Sequence, residues 1–216
     1  MDKPEVKVSV ITDYICPFCF IGHKRLEALR EFYDLKIHWC FVEIHPDTPI
    51  EGQSTKMFNY SDTHWNTLME NLQQLAKEEN IQFSAQTSTS NSRKALLLAE
   101  ACKSLGAEKF YPLHERLFEA FFIDGLNIGD EKILRDIAKQ CDIPDSLLEQ
   151  AWSVEHAHGP ADTVPKPLLP YLQYAGALQS RSVPTYVFGK EMLNGAIETS
   201  ALKQAAEKYL QMKDEI

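Results

Sequence analysis

Two cysteines near the start of the chain, Cys16 and Cys19, are separated by a Pro-Phe dipeptide. Thiols at this spacing can form and break a disulfide, and they can also supply half of a zinc site. A zinc site needs a second cysteine or histidine pair, and the closest one, His156 with His158, lies in a proline-rich connection. A chance pair without chemistry is the remaining alternative. The spacing therefore favours dithiol chemistry and predicts no metal site.

The pair lies where a predicted strand, residues 6–12, is followed by a predicted helix that runs to about residue 33. Pro17 suits the first helical position because the amide that it lacks would have no partner there. Cys16 is then the N-cap, and its sulfur is expected to face the free amides and the positive end of the helix. These groups stabilise a thiolate. We therefore predict that Cys16 attacks disulfides and that Cys19, one turn further on, resolves the product.

The other cysteines, Cys40, Cys102 and Cys141, lie in apolar patterns and are predicted to be buried and inert. An odd, sparse set of cysteines also argues against a structural disulfide framework. His23, on the helix that follows the pair, is predicted to be solvated.

The rest of the chain predicts an α/β architecture. A second strand at residues 36–43 completes a βαβ unit with parallel strands. Residues 45–61 are interpreted as a connection. They open an inserted segment of about 130 residues whose remainder is predicted to be mainly helical. Near the end, residues 185–188 and 191–193 predict a strand pair, followed by a helix from Thr199 or Ser200. The predicted helices of the block begin near Asp62, Ser92, Phe110, Asp130, Pro144 and Tyr171.

Composition places the chain among ordinary globular proteins. Of its 216 residues, 44% are hydrophobic and 25% are charged, and the net charge of −9 argues against nucleic acid or an anionic membrane as a partner. No apolar run approaches the roughly 18 residues that cross a bilayer. The first ten residues, MDKPEVKVSV, lack the apolar core and cleavage site of a signal peptide, which predicts a cytoplasmic location.

Three segments resemble the DsbA-type thioredoxin superfamily, and in particular the cytosolic FrnE-like oxidoreductases. They are SVITDYICPFCFIGHKRLE, the helical middle and SVPTYVFGKEMLNGA. The resemblance covers essentially the whole chain and implies a thioredoxin-like fold that is split by a large all-helical insertion. The thioredoxin-like domain would comprise residues 1–45 and 180–216, and the insertion residues 46–179.

The resemblance also implies roles for individual residues. Cys16 and Cys19 match the redox pair of the family, and Val183 and Pro184 match a loop whose cis-proline faces that pair. In the family this loop borders the active site, and the backbone of the residue before the proline can pair with an extended substrate. Thr185 completes the same Val-Pro-Thr motif.

Two positions beside the pair need separate interpretation. The periplasmic oxidants of the family carry His inside the motif and FrnE-like proteins usually carry Trp, whereas this chain has Phe18 after Pro17. Without an imidazolium beside the thiolate, a less oxidising couple is expected. Asp13 matches an acidic position common in this branch, and two interpretations stay open: a turn residue that ends the strand, or a group that handles a proton.

The leading functional hypothesis is a thiol–disulfide oxidoreductase that acts on protein or small-molecule substrates, with no cofactor and with glutathione as a candidate co-substrate. The alternative is a glutathione-dependent transferase or isomerase of the kappa or 2-hydroxychromene-2-carboxylate isomerase type. Those families share the split fold but typically place Ser where this chain has Cys16, and the second thiol, Cys19, favours redox work. A third hypothesis is a non-enzymatic adaptor or chaperone. The sequence specifies neither the substrate, nor the direction of exchange, the reducing partner or the oligomeric state.

Overall fold

A computed structural model describes residues 3–58, 61–85 and 87–214. Two residues of the predicted connection at 45–61, Asn59 and Tyr60, lie outside the described residues. The first unit is the predicted βαβ unit, whose two strands are parallel along their whole length. The helix is shorter than predicted, because a single 3-10 turn replaces its last part. The elements are β1 at Glu5–Thr12, α1 at Pro17–Glu27, the 3-10 turn at Ala28–Glu31 and β2 at Asp34–Phe41.

The end of the chain completes the sheet. Strands β5, Thr185–Phe188, and β6, Glu191–Asn194, form an antiparallel pair, and the helix α8 follows at Thr199–Asp214. The strand order is β2-β1-β5-β6, and β5 runs antiparallel to β1 with Thr185 opposite Ile11. The start of β5 therefore lies beside the end of β1. This pairing brings the loop before β5 to the start of α1.

Between β2 and β5 the chain forms the predicted block of helices. It also contains a small antiparallel ribbon, β3 at Gln53–Ser54 and β4 at Ser88–Thr89, which the sequence did not predict. The side chain of Asp130 accepts a hydrogen bond from the amide of Lys132 at 2.7 Å, so the predicted helix cap is confirmed. The helices are α2 at Asp62–Glu78, α3 at Arg93–Cys102, α4 at Ala107–Phe122, α5 at Glu131–Gln140, α6 at Asp145–Trp152 and α7 at Leu169–Ala177.

One apolar core joins the sheet and the inserted helices. Phe20 of α1 stacks on Phe118 of α4 with ring centroids 5.5 Å apart, and Tyr14 meets the same ring at 4.8 Å. A buried ion pair between Arg93 and Glu43, 2.8 Å apart, links α3 to the segment that follows β2. The predicted order of elements is thus confirmed, and the division into residues 1–45 with 180–216 and residues 46–179 stays a prediction.

The structure contradicts the prediction that His23 is solvated. Its side chain is buried where α1 packs against β2 and α4, and it contacts Trp39, His114 and Phe118. Burial lowers the pKa of His23 to about 4. The local sequence does not show that α4, which lies far along the chain, packs over this side of α1. Within the described ranges, no helix combines the length and the apolarity needed to span a bilayer.

Candidate active site

Cys16 is the N-cap residue of α1, with an extended backbone, and Pro17 occupies the first turn, as the sequence predicts. The carbonyl oxygen of Cys16 accepts hydrogen bonds from the amides of Cys19 at 3.0 Å and Phe20 at 3.3 Å. The predicted contact of the sulfur with the helix amides is wrong, since this side chain makes no capping hydrogen bond. The thiol donates to the carbonyl oxygen of Val183 at 3.6 Å. The sulfur is therefore held against the loop that precedes β5.

That loop has a cis peptide bond between Val183 and Pro184. Its next residue, Thr185, has a fully buried side chain. The Thr185 hydroxyl lies 2.7 Å from the carbonyl oxygen of Ser182 and 2.8 Å from the side-chain oxygen of Asn194. Thr185 thus fixes the loop to β6.

Cys19 lies behind Cys16, and both residues are free thiols. Its sulfur is hydrogen-bonded to Cys16, to the hydroxyl of Thr12 and to the backbone amide of Asp13. Burial raises the pKa of Cys19 well above its usual range, and the neighbouring Cys16 sulfur raises it further. The buried thiol therefore keeps its proton at neutral pH.

Asp13 ends β1 and is completely buried. Its carboxyl group accepts hydrogen bonds from the amides of Ile44 at 2.9 Å and Ile15 at 3.4 Å, and a further one from the side chain of Ser92. Burial outweighs these bonds and raises the pKa of Asp13 to about 7. The backbone carbonyl of Asp13 accepts from the amide of Cys16 at 3.3 Å. Asp13 is thus a turn residue whose side chain also ionises near neutral pH.

A cleft of about 770 Å³ opens in front of Cys16. Its walls come from Ile15 to Phe18, from one face of α2, from residues 81–84 and from the end of α4. Cys16 contributes to the wall and Cys19 does not. Residues 183–185 are not among the described residues that line the cleft. The described residues contain no group of three or more His, Cys, Asp or Glu side chains that could hold a metal ion.

Tyr186 is a neighbour of the sulfur pair that was not predicted from the sequence. Burial raises the pKa of Tyr186 well above its usual range, and the nearby sulfurs of Cys19 and Cys16 add to this effect. Its hydroxyl group is buried and has no hydrogen-bond partner among the described residues. This hydroxyl sits directly against Gly22 of α1, where a Cβ atom would lie only 2.0 Å from it. The sequence predicted the strand that carries Tyr186 but not the helix that this side chain meets.

Comparison with known proteins places these features in a family. A family model of the DSBA-like thioredoxin domain matches residues 7–207. Uncharacterized protein YwbO from Bacillus subtilis is 23% identical, over 93% of this chain and 95% of YwbO.

Three solved structures share the fold. A probable DsbA oxidoreductase from Streptomyces coelicolor superposes with a TM-score of 0.79 at 18% identity, over 95% of this chain and 90% of that one. A 2-hydroxychromene-2-carboxylate isomerase gives 0.73 at 19% identity, over 97% and 98%. The cytosolic disulfide reductase DsbM from Pseudomonas aeruginosa, in its structure with GSH, gives 0.66 at 12% identity, over 98% and 100%.

Proposed function

The chain belongs to the DSBA-like thioredoxin domain family, and we propose that it is a thiol–disulfide oxidoreductase whose attacking sulfur is that of Cys16. The main support is the place of Cys16, which caps α1 in the wall of a cleft while the second thiol, Cys19, lies directly behind it. Cys16 is itself only 5% exposed, but it lines the cleft and can meet a substrate disulfide there, whereas Cys19 does not line the cleft. The attack requires this sulfur as a thiolate.

The proposed reaction is a pair of disulfide exchanges. The Cys16 thiolate attacks one sulfur of the substrate, a mixed disulfide forms, and the other substrate sulfur leaves as a thiolate. Cys19 then gives up its proton and attacks the sulfur of Cys16, which releases the second substrate thiolate. The substrate gains two electrons and the pair becomes a disulfide, which an external thiol reduces again.

Asp13 is our candidate for the group that handles the Cys19 proton. A carboxyl group with a pKa of about 7 changes its protonation state at the pH at which exchange occurs. Its backbone amide already contacts the sulfur of Cys19. Its carboxyl oxygens already accept hydrogen bonds from Ile44, Ile15 and Ser92. The pH dependence of the attack by Cys19 therefore tests whether the carboxyl group accepts this proton.

We further propose that the chain belongs to the FrnE-like branch, is cytoplasmic and works mainly as a reductase. Phe18 leaves the pair without an imidazolium, which favours a reducing couple. The similar fold of DsbM, named a cytosolic disulfide reductase and solved with GSH, supports this compartment and glutathione as the reducing thiol. No other cofactor is proposed, and the substrates are protein or small-molecule disulfides.

The alternative is a glutathione-dependent transferase or isomerase. The apolar cleft and the fold shared with 2-hydroxychromene-2-carboxylate isomerase favour it. The second thiol disfavours it, because a residue that only activates glutathione needs no resolving partner. Turnover of glutathione conjugates that survives the substitution Cys19→Ser would establish the alternative.

Single substitutions of the two cysteines test the proposed function. We expect Cys16→Ser to abolish reduction of a protein disulfide such as that of insulin, because no other cysteine reaches the cleft. We expect Cys19→Ser to attack once and then to accumulate a mixed disulfide on Cys16, since the resolving thiol is missing. Intact-protein mass spectrometry detects this adduct, and Cys141→Ser is the control that changes neither result. Native turnover by Cys19→Ser without added thiol would refute the assigned roles.

A further inference from the structure

We propose that the cleft in front of Cys16 binds low-molecular-weight disulfides that have a flat apolar body and an anionic group. This inference rests on the proposed function and names the substrate class of the same site. Three features of the cleft support it: the exposed apolar face of α2, the aromatic floor opposite that face, and a single charged side chain.

The first feature is the face that α2 turns toward the cleft. Trp65, Leu68, Met69 and Leu72 follow one another at helical spacing and line the cleft together. Trp65, Leu68 and Met69 are only half-buried, so the helix leaves part of this apolar face in contact with water. An apolar ligand would remove that surface from water and gain binding free energy.

The second feature is the aromatic floor of the cleft. Phe122 at the end of α4 stacks on Phe20 with ring centroids 5.6 Å apart and an interplanar angle of 7°, and it meets Phe83 edge-on at 5.5 Å. The amide of Ser84 donates to the carbonyl oxygen of Phe122 at 2.8 Å, which fixes the segment that carries Phe83. The floor is therefore formed before a ligand arrives, and its rings favour a flat aromatic partner.

The third feature is charge. Lys77, in the last turn of α2, is the one lysine, arginine or acidic side chain among the described residues that line the cleft. The acidic side chains that follow it are already paired, since Arg25 bonds Glu78 at 2.7 Å and Glu79 at 2.6 Å. Neither glutamate is among the described residues that line the cleft, so Lys77 presents a positive charge to it, which favours an anionic group on the ligand.

The size of the cleft agrees with a small molecule. A volume of about 770 Å³ lies in the range of small-molecule sites, which is roughly 300–1,000 Å³. The net reaction reduces one substrate disulfide to two thiols while two molecules of a reducing thiol such as glutathione become one disulfide.

Rates of exchange with three disulfides test the proposal on the full chain. The probes are 5,5′-dithiobis(2-nitrobenzoate), which is aromatic and anionic, 2,2′-dithiodipyridine, which is aromatic and neutral, and bis(2-hydroxyethyl) disulfide, which is small and polar. Each rate constant with the reduced protein is divided by the rate constant of the same probe with N-acetylcysteine. We expect the normalised rate for the aromatic anion to exceed that for the polar probe by about 10- to 100-fold, as burial of one aromatic ring allows.

Single substitutions separate the contribution of the Lys77 charge from that of the apolar surface of α2. Lys77→Gln should slow the anionic probe about two- to fivefold and leave dithiodipyridine unchanged, because only the charge is removed. Leu68→Gln should slow both aromatic probes. The matched controls are Lys139→Gln in the last turn of α5 and Leu172→Gln on the exposed face of α7, which should change none of the rates.

The outcomes distinguish the substrate class from the function itself. Equal normalised rates for all three probes, or equal effects of Lys77→Gln and Lys139→Gln, would overturn the proposed substrate class and leave the oxidoreductase standing. If the folded protein exchanges with none of the three probes, the proposed function fails as well.

Discussion

Contact with the cleft, rather than burial, distinguishes Cys16 from the other cysteines, since Cys16 is buried as well and Cys141 is more exposed than predicted. Besides Cys19, burial raises the pKa of Cys40 to about 12 and that of Cys102 to about 11. These thiols keep their protons at neutral pH and are poor nucleophiles, in line with the prediction that Cys40 and Cys102 are inert. Cys16 differs from them because it lies at a helix N-terminus and borders the cleft.

The pH dependence of stability tests the buried carboxyl group of Asp13. Its pKa is about 7 in the folded protein and near 3.8 in an unfolded chain. Between these values the folded state holds a proton that the unfolded state releases, so the free energy of unfolding falls as the pH rises from 4 to 7. The full loss is up to ~4 kcal/mol. Urea titrations should show this decline in the native chain and a flatter profile for Asp13→Asn.

A second measurement tests whether Asp13 accepts the proton of Cys19. If the carboxyl group accepts the Cys19 proton, Asp13→Asn should slow the release of the mixed disulfide and remove an ionisation near pH 7 from that step. A residue that only shapes the turn would leave the pH profile of this step unchanged. The rate of the first attack by Cys16 is the internal control. An unaltered profile would exclude proton handling.

At the scale of elements, the contact between α1 and β5 determines how the two halves of the site fit together. Gly22 lets the Tyr186 hydroxyl approach the helix, and Pro184 lies at 3.1 Å from the position of an added Cβ. We expect Gly22→Ala to destabilise the fold by about 1–3 kcal/mol, because the methyl group overlaps the hydroxyl. Tyr186→Phe should restore most of this loss in the double variant, since it removes the overlapping oxygen. Urea unfolding of the four proteins gives the coupling energy.

A helical glycine without such a contact is the control for this cycle. Gly176 on α7 has no atom within 4 Å of an added Cβ, so Gly176→Ala should be neutral or stabilising by up to ~1 kcal/mol. Additive effects of Gly22→Ala and Tyr186→Phe would show that the two side chains do not compete for space.

Local patterns predicted most of the elements. The alternation around Val8, the N-terminal proline Pro17 and the acidic cap Asp130 each depend on neighbours in sequence, and the structure has β1, α1 and α5 where they indicated. The redox pair was predictable for the same reason, because its placement depends on one strand–helix junction.

Features that depend on distant segments do not follow from local patterns. The approach of the Val183 loop to Cys16 was expected from the family resemblance alone, and the hydrogen bond of the Cys16 sulfur to Val183 agrees with it. The burial of His23 by α4 and the cleft lined by the half-exposed apolar face of α2 were not predicted, because both depend on how separate helices pack. The two-residue strands β3 and β4 are too short to produce a periodic signal.

At the scale of the whole molecule, a buried cluster of aromatic rings joins α1 and β2 to the inserted helix α4. His114 lies at the centre, with its Nδ1 atom 2.6 Å from the Tyr14 hydroxyl and its ring 4.2 Å from that of Trp39 and 4.9 Å from that of His23. Burial lowers the pKa of His114 well below its usual range, as it does for His23. Both imidazoles are therefore neutral at pH 7, at the place where the sheet packs against the inserted helices.

This cluster predicts a loss of stability in acid. The pKa of His23 is about 4 in the folded protein and 6.5 in an unfolded chain, so between these values the unfolded state binds more protons. The free energy of unfolding should therefore fall as the pH drops from 6.5 to 4, by up to ~3 kcal/mol from His23 alone. His23→Phe keeps an aromatic ring and removes the titration, and the Nδ1 atom that it replaces has no hydrogen-bond partner among the described residues. Urea unfolding at several pH values should show a shallower acid decline for His23→Phe than for the native chain, whereas the exposed control His158→Gln should keep the native slope. Identical slopes for all three proteins would mean that the imidazole of His23 is not held neutral by burial.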